Sequence, residues 1–274
     1  GDGAVVGEAL TRHPDVDMVS FTGSTRAGVL VAKNAAETVK RVHQELGGKS
    51  PNVILRSADL PRAVPAGIRV LMMNSGQSCN APSRMLVPAE LHDEAVVTAS
   101  AVANAIALGD PEQEGPHLGP LASLNQYAKV KALISQAVDA GAHLAAGGAE
   151  RPAALTRGFY VKPTVFANVT NDMPIAREEI FGPVLCLIPY QDEVEAIQIA
   201  NDTPYGLAAH VWARTHEAAL PVARRLRAGS IHINGASVDF SMPFGGFKQS
   251  GNGREFGAHG IKEFLEAKAI MNPA

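Results

Sequence analysis

Short apolar runs alternate along this chain with longer stretches in which apolar residues return every three or four positions. The first kind predicts strands, the second amphipathic helices. Strands are predicted at "VDMVSF" (16–21), "KRVHQEL" (40–46), "PNVIL" (51–55), "RMLV" (84–87), "FYVKPTVF" (159–166), "VLCLI" (184–188), "LAAHVW" (207–212) and "GSIHIN" (229–234), the last as a buried strand. Helical spacing appears over 26–39, where Val29, Ala32, Ala36 and Val39 share a face. It appears again over 61–73, where Val64, Ile68 and Leu71 do so despite Pro65 and Gly67. Further helices are predicted over 90–108, 123–142, 192–201 and 216–227. The segments 145–158 and 169–184 read as a surface loop or hairpin tip and as an irregular connection. Residues 243–257 are too glycine-rich for a regular element, and 261–270 read as a short helix running into a possible edge strand. Strands alternating with helices argue for an α/β fold.

Composition changes this picture little. Of 274 residues, 46% are hydrophobic and 19% charged, with a formal net charge of -3, an ordinary soluble balance with no basic excess for nucleic acid. No apolar run approaches membrane-spanning length, so no membrane partner is expected. The opening "GDGAVVGEAL" shows no basic segment ahead of an apolar one. It reads as the inside of a loop, so the chain is expected to be part of a longer protein. Two cysteines, Cys79 and Cys186, form no disulfide framework and favour a reducing cytoplasm.

Cys79 is the first candidate for chemistry. Cys186 sits inside an apolar run, as a packing cysteine does, whereas Cys79 lies among small and polar residues in "NSGQSCNAPSR" (74–84). Gly76 and Ser78 leave room for a substrate beside its sulfur, and a thiolate is a strong nucleophile once a base or helix terminus activates it. The loop alone is equally consistent with an unremarkable cysteine, and no accompanying C-x-x-C or His pair suggests a metal. Glu45, between a predicted strand and the Gly47-Gly48 turn, has the placement of a general base, although a surface glutamate beside a turn fits as well. "FTGSTRAG" (21–28) is a strand-to-helix turn suited to a pyrophosphate or simply to a structural connection. "REEIFGPV" offers carboxylates for ribose hydroxyls beside Phe181, or a charged loop anchored by that ring.

Taken together, "FTGSTRAG", "QELGGKSPN", "NSGQSCNAPSR", "EEIFGPVL" and "PFGGFKQSGNGREFG", in that order, resemble the NAD(P)-dependent aldehyde dehydrogenase superfamily, and they spread over nearly the whole chain. The resemblance implies an aldehyde-dehydrogenase-like catalytic domain with the end of a Rossmann-like cofactor domain. Residues 1–47 would end the NAD(P)-binding domain, 48–248 form the catalytic domain and 249–274 return as a tail to the cofactor and oligomerisation region. It implies Cys79 as nucleophile and Glu45 as general base. Gly23, Ser24 and Gly28 would lie near the cofactor pyrophosphate, Glu179 and Phe181 at the nicotinamide-side ribose, and Gln126 at the cofactor. Phe244 would wall the aldehyde pocket, with 238–240 as neighbours. The implied reaction oxidises a small aldehyde to an acid through a thiohemiacetal and a thioester, with NAD or NADP as acceptor and NAD favoured. The family's asparagine oxyanion donor belongs to its amino-terminal portion, ahead of these residues, and the intact protein is expected to be a homo-oligomer. The alternatives are a cofactor-independent cysteine esterase and an inactive oligomerising fragment.

Overall fold

The computed structural model describes residues 1–273. In chain order the elements are α1 (Gly3–Arg12), β1 (Met18–Thr22), α2 (Thr25–Ala35), β2 (Arg41–Glu45), β3 (Pro51–Ile54), α3 (Leu60–Met72), β4 (Arg84–Pro88), α4 (His92–Ala105) and α5 (Leu124–Asp139). There follow β5 (His143–Ala146), β6 (Thr164–Ala167), α6 (Pro174–Arg177), β7 (Val184–Tyr190), α7 (Glu193–Asn201), β8 (Ala208–Trp212), α8 (His216–Ala223), β9 (Ser230–Ile233), β10 (Gly251–Asn252) and α9 (Gly257–Lys262).

Two sheets result. The larger has the order β5-β6-β7-β4-β3-β8-β9, parallel throughout except for the β5–β6 pair. Strand β7 shows why it holds. Val184, Cys186 and Ile188 point into one apolar layer with α5, α7 and α8, while Leu185 and Leu187 point into the other with α3 and α4. A strand covered on both faces needs apolar residues at every position, which is why "VLCLI" reads as a continuous run. Each fully buried aliphatic side chain there contributes roughly 1.5–3 kcal/mol. The smaller sheet has β1 parallel to β2, with β10 antiparallel on the other side of β2.

Residues 46–50 cross from one sheet to the other and are buried throughout. Ser250, fully buried, fastens this crossing: its hydroxyl donates to the Gly47 carbonyl at 2.7 Å and accepts the Gly206 N–H at 2.9 Å. One side chain thus ties the tail, the crossing and the large sheet together.

Several details differ from the pattern-based expectation. The opening residues form α1 rather than a loop. Asp2 caps it by accepting the Ala4 N–H, and Arg12 pairs with Glu8 one turn back, with Asn34 of α2 and with Glu37 just beyond that helix. Gly3 and Gly7, poor helix formers, hide it in the sequence. "GSIHIN" is half-buried rather than buried, because β9 is an edge strand paired only with β8. Within 145–158, the first residues finish β5, while "FYVKPTVF" becomes extended only at its end. The closing helix starts earlier, at Gly257, and stops at Lys262; the described residues beyond form no edge strand, and Ala274 lies outside the described residues.

Candidate active site

Cys79 is delivered by a strained turn. Beyond α3, Asn74, Ser75 and Gly76 all take left-handed backbone angles (φ 51°, 55° and 72°), costly for the two non-glycine residues and therefore held by their surroundings. Ser75 donates to the Gly119 carbonyl, Asn74 and Gln77 exchange side-chain-to-backbone bonds, and Gln77 Oε1 receives the Ala122 N–H. On the far side of the cysteine, Arg84 is completely buried. Its guanidinium donates to the Lys49, Ile199 and Ala200 carbonyls and to Asn171. Burial holds Arg84 down to about 10, still charged at neutral pH. The arginine of the cysteine motif thereby locks β4 to the backbone of the crossing segment.

The glycine pair of that segment is used at close quarters. A Cβ on Gly48 would lie 2.3 Å from the Cys79 carbonyl oxygen, and one on Gly47 would lie 2.3 Å from a Glu179 carboxylate oxygen. Only hydrogen fits against the Cys79 carbonyl, and a methyl group at residue 47 would displace the Glu179 carboxylate. The Gly48 N–H donates to Glu179 Oε1 at 3.1 Å, so the backbone that packs against Cys79 also orients the Glu179 carboxylate.

A cavity of about 530 Å³ collects Gly23, Ser24, Glu45, Cys79, Gln126, Glu179, Phe181 and Phe244. These eight are predicted site residues, brought together from segments far apart in sequence. Gly28 is not among them. It is buried inside α2, where a Cβ would strike Leu46 and Gln44, and its carbonyl accepts the Gln44 amide at 2.6 Å. Gln126 holds the "IFG" loop by donating to the Ile180 and Phe181 carbonyls, and Phe181 itself is left-handed (φ 55°). Val238 and Asp239 line a separate cavity of about 240 Å³ on the other side of Phe244, and Phe240 stands exposed, packed edge-on to Phe256.

The electrostatics favour proton transfer. Glu45 is 2% exposed and neither carboxylate oxygen has a hydrogen-bond partner. Burial first, then Glu255, push it up to about 8, against the pull of Arg254. Cys79 is also raised, by burial and then by the Glu179 carboxylate, while the backbone N–H of Asn80 pulls it back. Glu179 is raised by burial and drawn down by the Gly48 N–H and by Lys129 and Lys49. Burial thus favours the thiol form of the sulfur and places in the same cavity a carboxyl whose proton affinity is raised, as a general base requires.

A second cavity of about 1020 Å³ adjoins the first at Ser24, Gln126, Lys129 and Glu179, and Thr25 and Arg26 bring the start of α2 to its wall. The paired cavities, a helix N-terminus and a half-buried acid at their junction fit an elongated, negatively charged dinucleotide. Lys129, whose ammonium donates to the Glu179 carbonyl at 2.6 Å, is a site residue the sequence reading missed. Its position three after Gln126 on one helix face was the available signal. Asn80, Arg84, Glu255 and His43 were missed as well, and no local pattern marks the last two. Among the described residues, no cluster of three or more His, Cys, Asp or Glu could hold a metal, and no helix is long and apolar enough to cross a membrane.

Comparison with known proteins agrees in sequence and in structure. The pattern of the Aldehyde dehydrogenase family matches residues 1–270. A 3-succinoylsemialdehyde-pyridine dehydrogenase of a Pseudomonas species is 57% identical over 271 residues, covering 99% of this chain and 57% of that protein. A putative aldehyde dehydrogenase of Staphylococcus saprophyticus is 46% identical, over 98% of this chain and 57% of that one. Aldehyde dehydrogenase C of Pseudomonas syringae, solved as a cysteine-to-alanine mutant with NAD+ and octanal, superposes with a TM-score of 0.97 at 53% identity, over 98% of this chain and 56% of that one. The Mycobacterium tuberculosis aldehyde dehydrogenase complexed with NAD+ gives 0.95 at 43% identity, over 97% and 55%. The chain therefore spans a little over half the length of the relatives it matches.

Proposed function

This chain belongs to the aldehyde dehydrogenase family, and from that premise we propose that it carries the nucleophile, base and cofactor-facing acid of an NAD-dependent oxidation of aldehydes to carboxylic acids. The observation that supports this most is the single cavity shared by Cys79, Glu45 and Glu179. Glu45 takes the thiol proton, and the Cys79 sulfur adds to the aldehyde carbon, leaving a negatively charged oxygen near the backbone N–H of the cysteine. NAD+, when bound, would supply the hydride acceptor that the change from this adduct to a thioester requires. Glu45 then takes a proton from water, whose oxygen attacks the thioester carbon; the carbon–sulfur bond breaks and the acid leaves. Gln126, Lys129 and Glu179 would hold the cofactor at the junction of the two cavities, and Phe181 and Phe244 favour an uncharged aliphatic or aromatic aldehyde. NAD is preferred over NADP because the related P. syringae and M. tuberculosis structures hold NAD+.

The division at residues 47 and 248 is supported by the two sheets, since β1, β2 and β10 lie outside 48–248 and every strand of the large sheet lies within it. Self-association of the intact protein is supported by exposed apolar residues such as Phe264, Ile270 and Met271 near the end of the chain. Two free cysteines fit a reducing cytoplasm.

The test is calorimetric titration of the chain with NAD+ and with NADP+, followed by reduced-nicotinamide absorbance with octanal. NAD+ binding with Cys79-dependent reduction is the expected result. No binding of either nucleotide would overturn the cofactor assignment for this chain.

A further inference from the structure

Gly47 and Gly48 share a peptide unit whose two ends are both in use. Its carbonyl accepts the Ser250 hydroxyl at 2.7 Å, and its N–H donates to Glu179 Oε1 at 3.1 Å. Ser250 is itself held twice: its hydroxyl oxygen accepts the Gly206 N–H at 2.9 Å, and its backbone carbonyl accepts the Leu46 N–H at 2.9 Å. Three hydrogen bonds thus run head to tail, from the Gly206 N–H through the Ser250 hydroxyl and the peptide unit to a carboxylate. Each bond in such a chain polarises the next, so a donor on the Gly47 carbonyl strengthens the Gly48 N–H as a donor.

The peptide unit needs this hold. Turning it over changes only ψ of Gly47 and φ of Gly48, and glycine accepts either sign of φ. Turned over, it would set the Gly47 carbonyl oxygen against the Glu179 carboxylate, acceptor against acceptor. Glu179 has little else to direct its side chain. From α5, Lys129 donates to the Glu179 carbonyl and Gln126 to the next two, which fixes the backbone of the loop. The Gly48 N–H makes the one hydrogen bond to the carboxylate itself among the described residues. It also draws the carboxyl down against the upward push of burial, keeping it an acceptor. Ser250 is fully buried, so it reaches the cavity only through this peptide.

We propose that Ser250 is a positioning residue for Glu179, its hydroxyl locking the Gly47–Gly48 peptide with the N–H turned to the carboxylate. Glu179 is then presented at the junction of the two cavities, ready to accept from the hydroxyl groups of a ribose. This rests on the function proposed above, in which Glu179 faces the cofactor. The lock comes from the tail because β10, which follows Ser250 directly, pairs with β2 and brings the serine under the crossing.

Ser250→Ala removes the hydroxyl and spares the backbone bond to Leu46. Calorimetric titration should then show NAD+ bound about 10-fold more weakly, the effect of a hydrogen bond to a charged group. The acylation burst with p-nitrophenyl acetate, which needs no cofactor, should keep its amplitude. In a Glu179→Ala background the same substitution should leave the NAD+ affinity where it is, since the residue it acts through is gone. Hydrogen exchange at the Gly48 amide, followed by NMR, reads the lock without cofactor. It should quicken about 10-fold in Ser250→Ala, while the amides of β7 keep their rates. Ser250→Cys, similar in size and a weaker donor, should fall between the two and replaces the alanine variant if that fails to fold. Unchanged affinity, an equal further loss in the Glu179→Ala background, or wild-type exchange at Gly48 would overturn the proposal. A wild-type chain that binds no NAD+ would instead overturn the cofactor reading, and exchange at Gly48 would decide the lock by itself.

Discussion

Arg84 and Glu45 are both ionisable, both essentially removed from solvent, and treated in opposite ways. Arg84 has carbonyls or an amide oxygen at each of its guanidinium nitrogens; Glu45 has none at either oxygen. A buried charge with every bond made is a rigid fastener, since moving it breaks several hydrogen bonds at once. A buried carboxylate with no bond made is a group whose charged form is expensive, so its proton affinity rises. The large-sheet side of the site is built to stay still, and the small-sheet side to exchange protons. Lys49 lies between the two cases: its carbonyl is held by Arg84, but its ammonium is buried without a partner and lowered by burial to about 8.

The contrast can be broken most severely at the nucleophile. Cys79→Ala should reduce ester and aldehyde turnover on the order of 10⁴-fold or more, with the melting temperature nearly unchanged; a residual burst would show another residue being acylated. Glu45→Gln comes next, slowing deacylation about 10²–10⁴-fold. The wild-type rate should climb with pH through about 8, and the variant's should not. The same substitution sharpens the stability argument. Folded Glu45 holds its proton more tightly than the unfolded chain does, so its favourable contribution is whole below the ordinary value of 4.5 and lost as pH rises through about 8. Melting curves across that window should therefore drift in favour of Glu45→Gln as pH rises.

Arg84→Met tests the fastener. It leaves three carbonyls without their donor and should cost about 3 kcal/mol of stability in denaturant unfolding; a cost near zero would mean the network is dispensable. Gly48→Ala forces a methyl group onto the Cys79 carbonyl and should lower turnover more than it lowers the melting temperature. The smallest effect is expected at Lys49→Met, a stabilisation of about 1–2 kcal/mol at neutral pH. The lysine's penalty is constant below about 8 and fades towards its ordinary 10.5, so the gain should vanish as pH rises across that interval.

The α/β alternation was legible because strands covered on both faces require unbroken apolar runs, as in "VLCLI", and helices repeat their apolar positions every three or four residues. The family was legible because Cys79, Glu45 and the glycine turns keep their order and spacing along the chain. Gly28 shows the limit of such reading: its motif was visible, but only packing showed that it faces Leu46 and Gln44 inside α2 rather than the cavity. The helix at the amino end was hidden for a related reason, since Arg12 ties it to Asn34 of α2 and to Glu37, residues more than twenty positions away.

By itself, then, the sequence determined the layers and the motifs that mark the family, because these depend on residue type and on order and spacing along the chain. Tertiary structure alone decided the partners: Arg84 on the carbonyl of Lys49, Gly48 against the carbonyl of Cys79, and His43 between Glu45 and Ser20. Those relations join segments distant along the chain. Whether a buried charge becomes a fastener or a proton carrier depends on the donors and acceptors that folding brings to it.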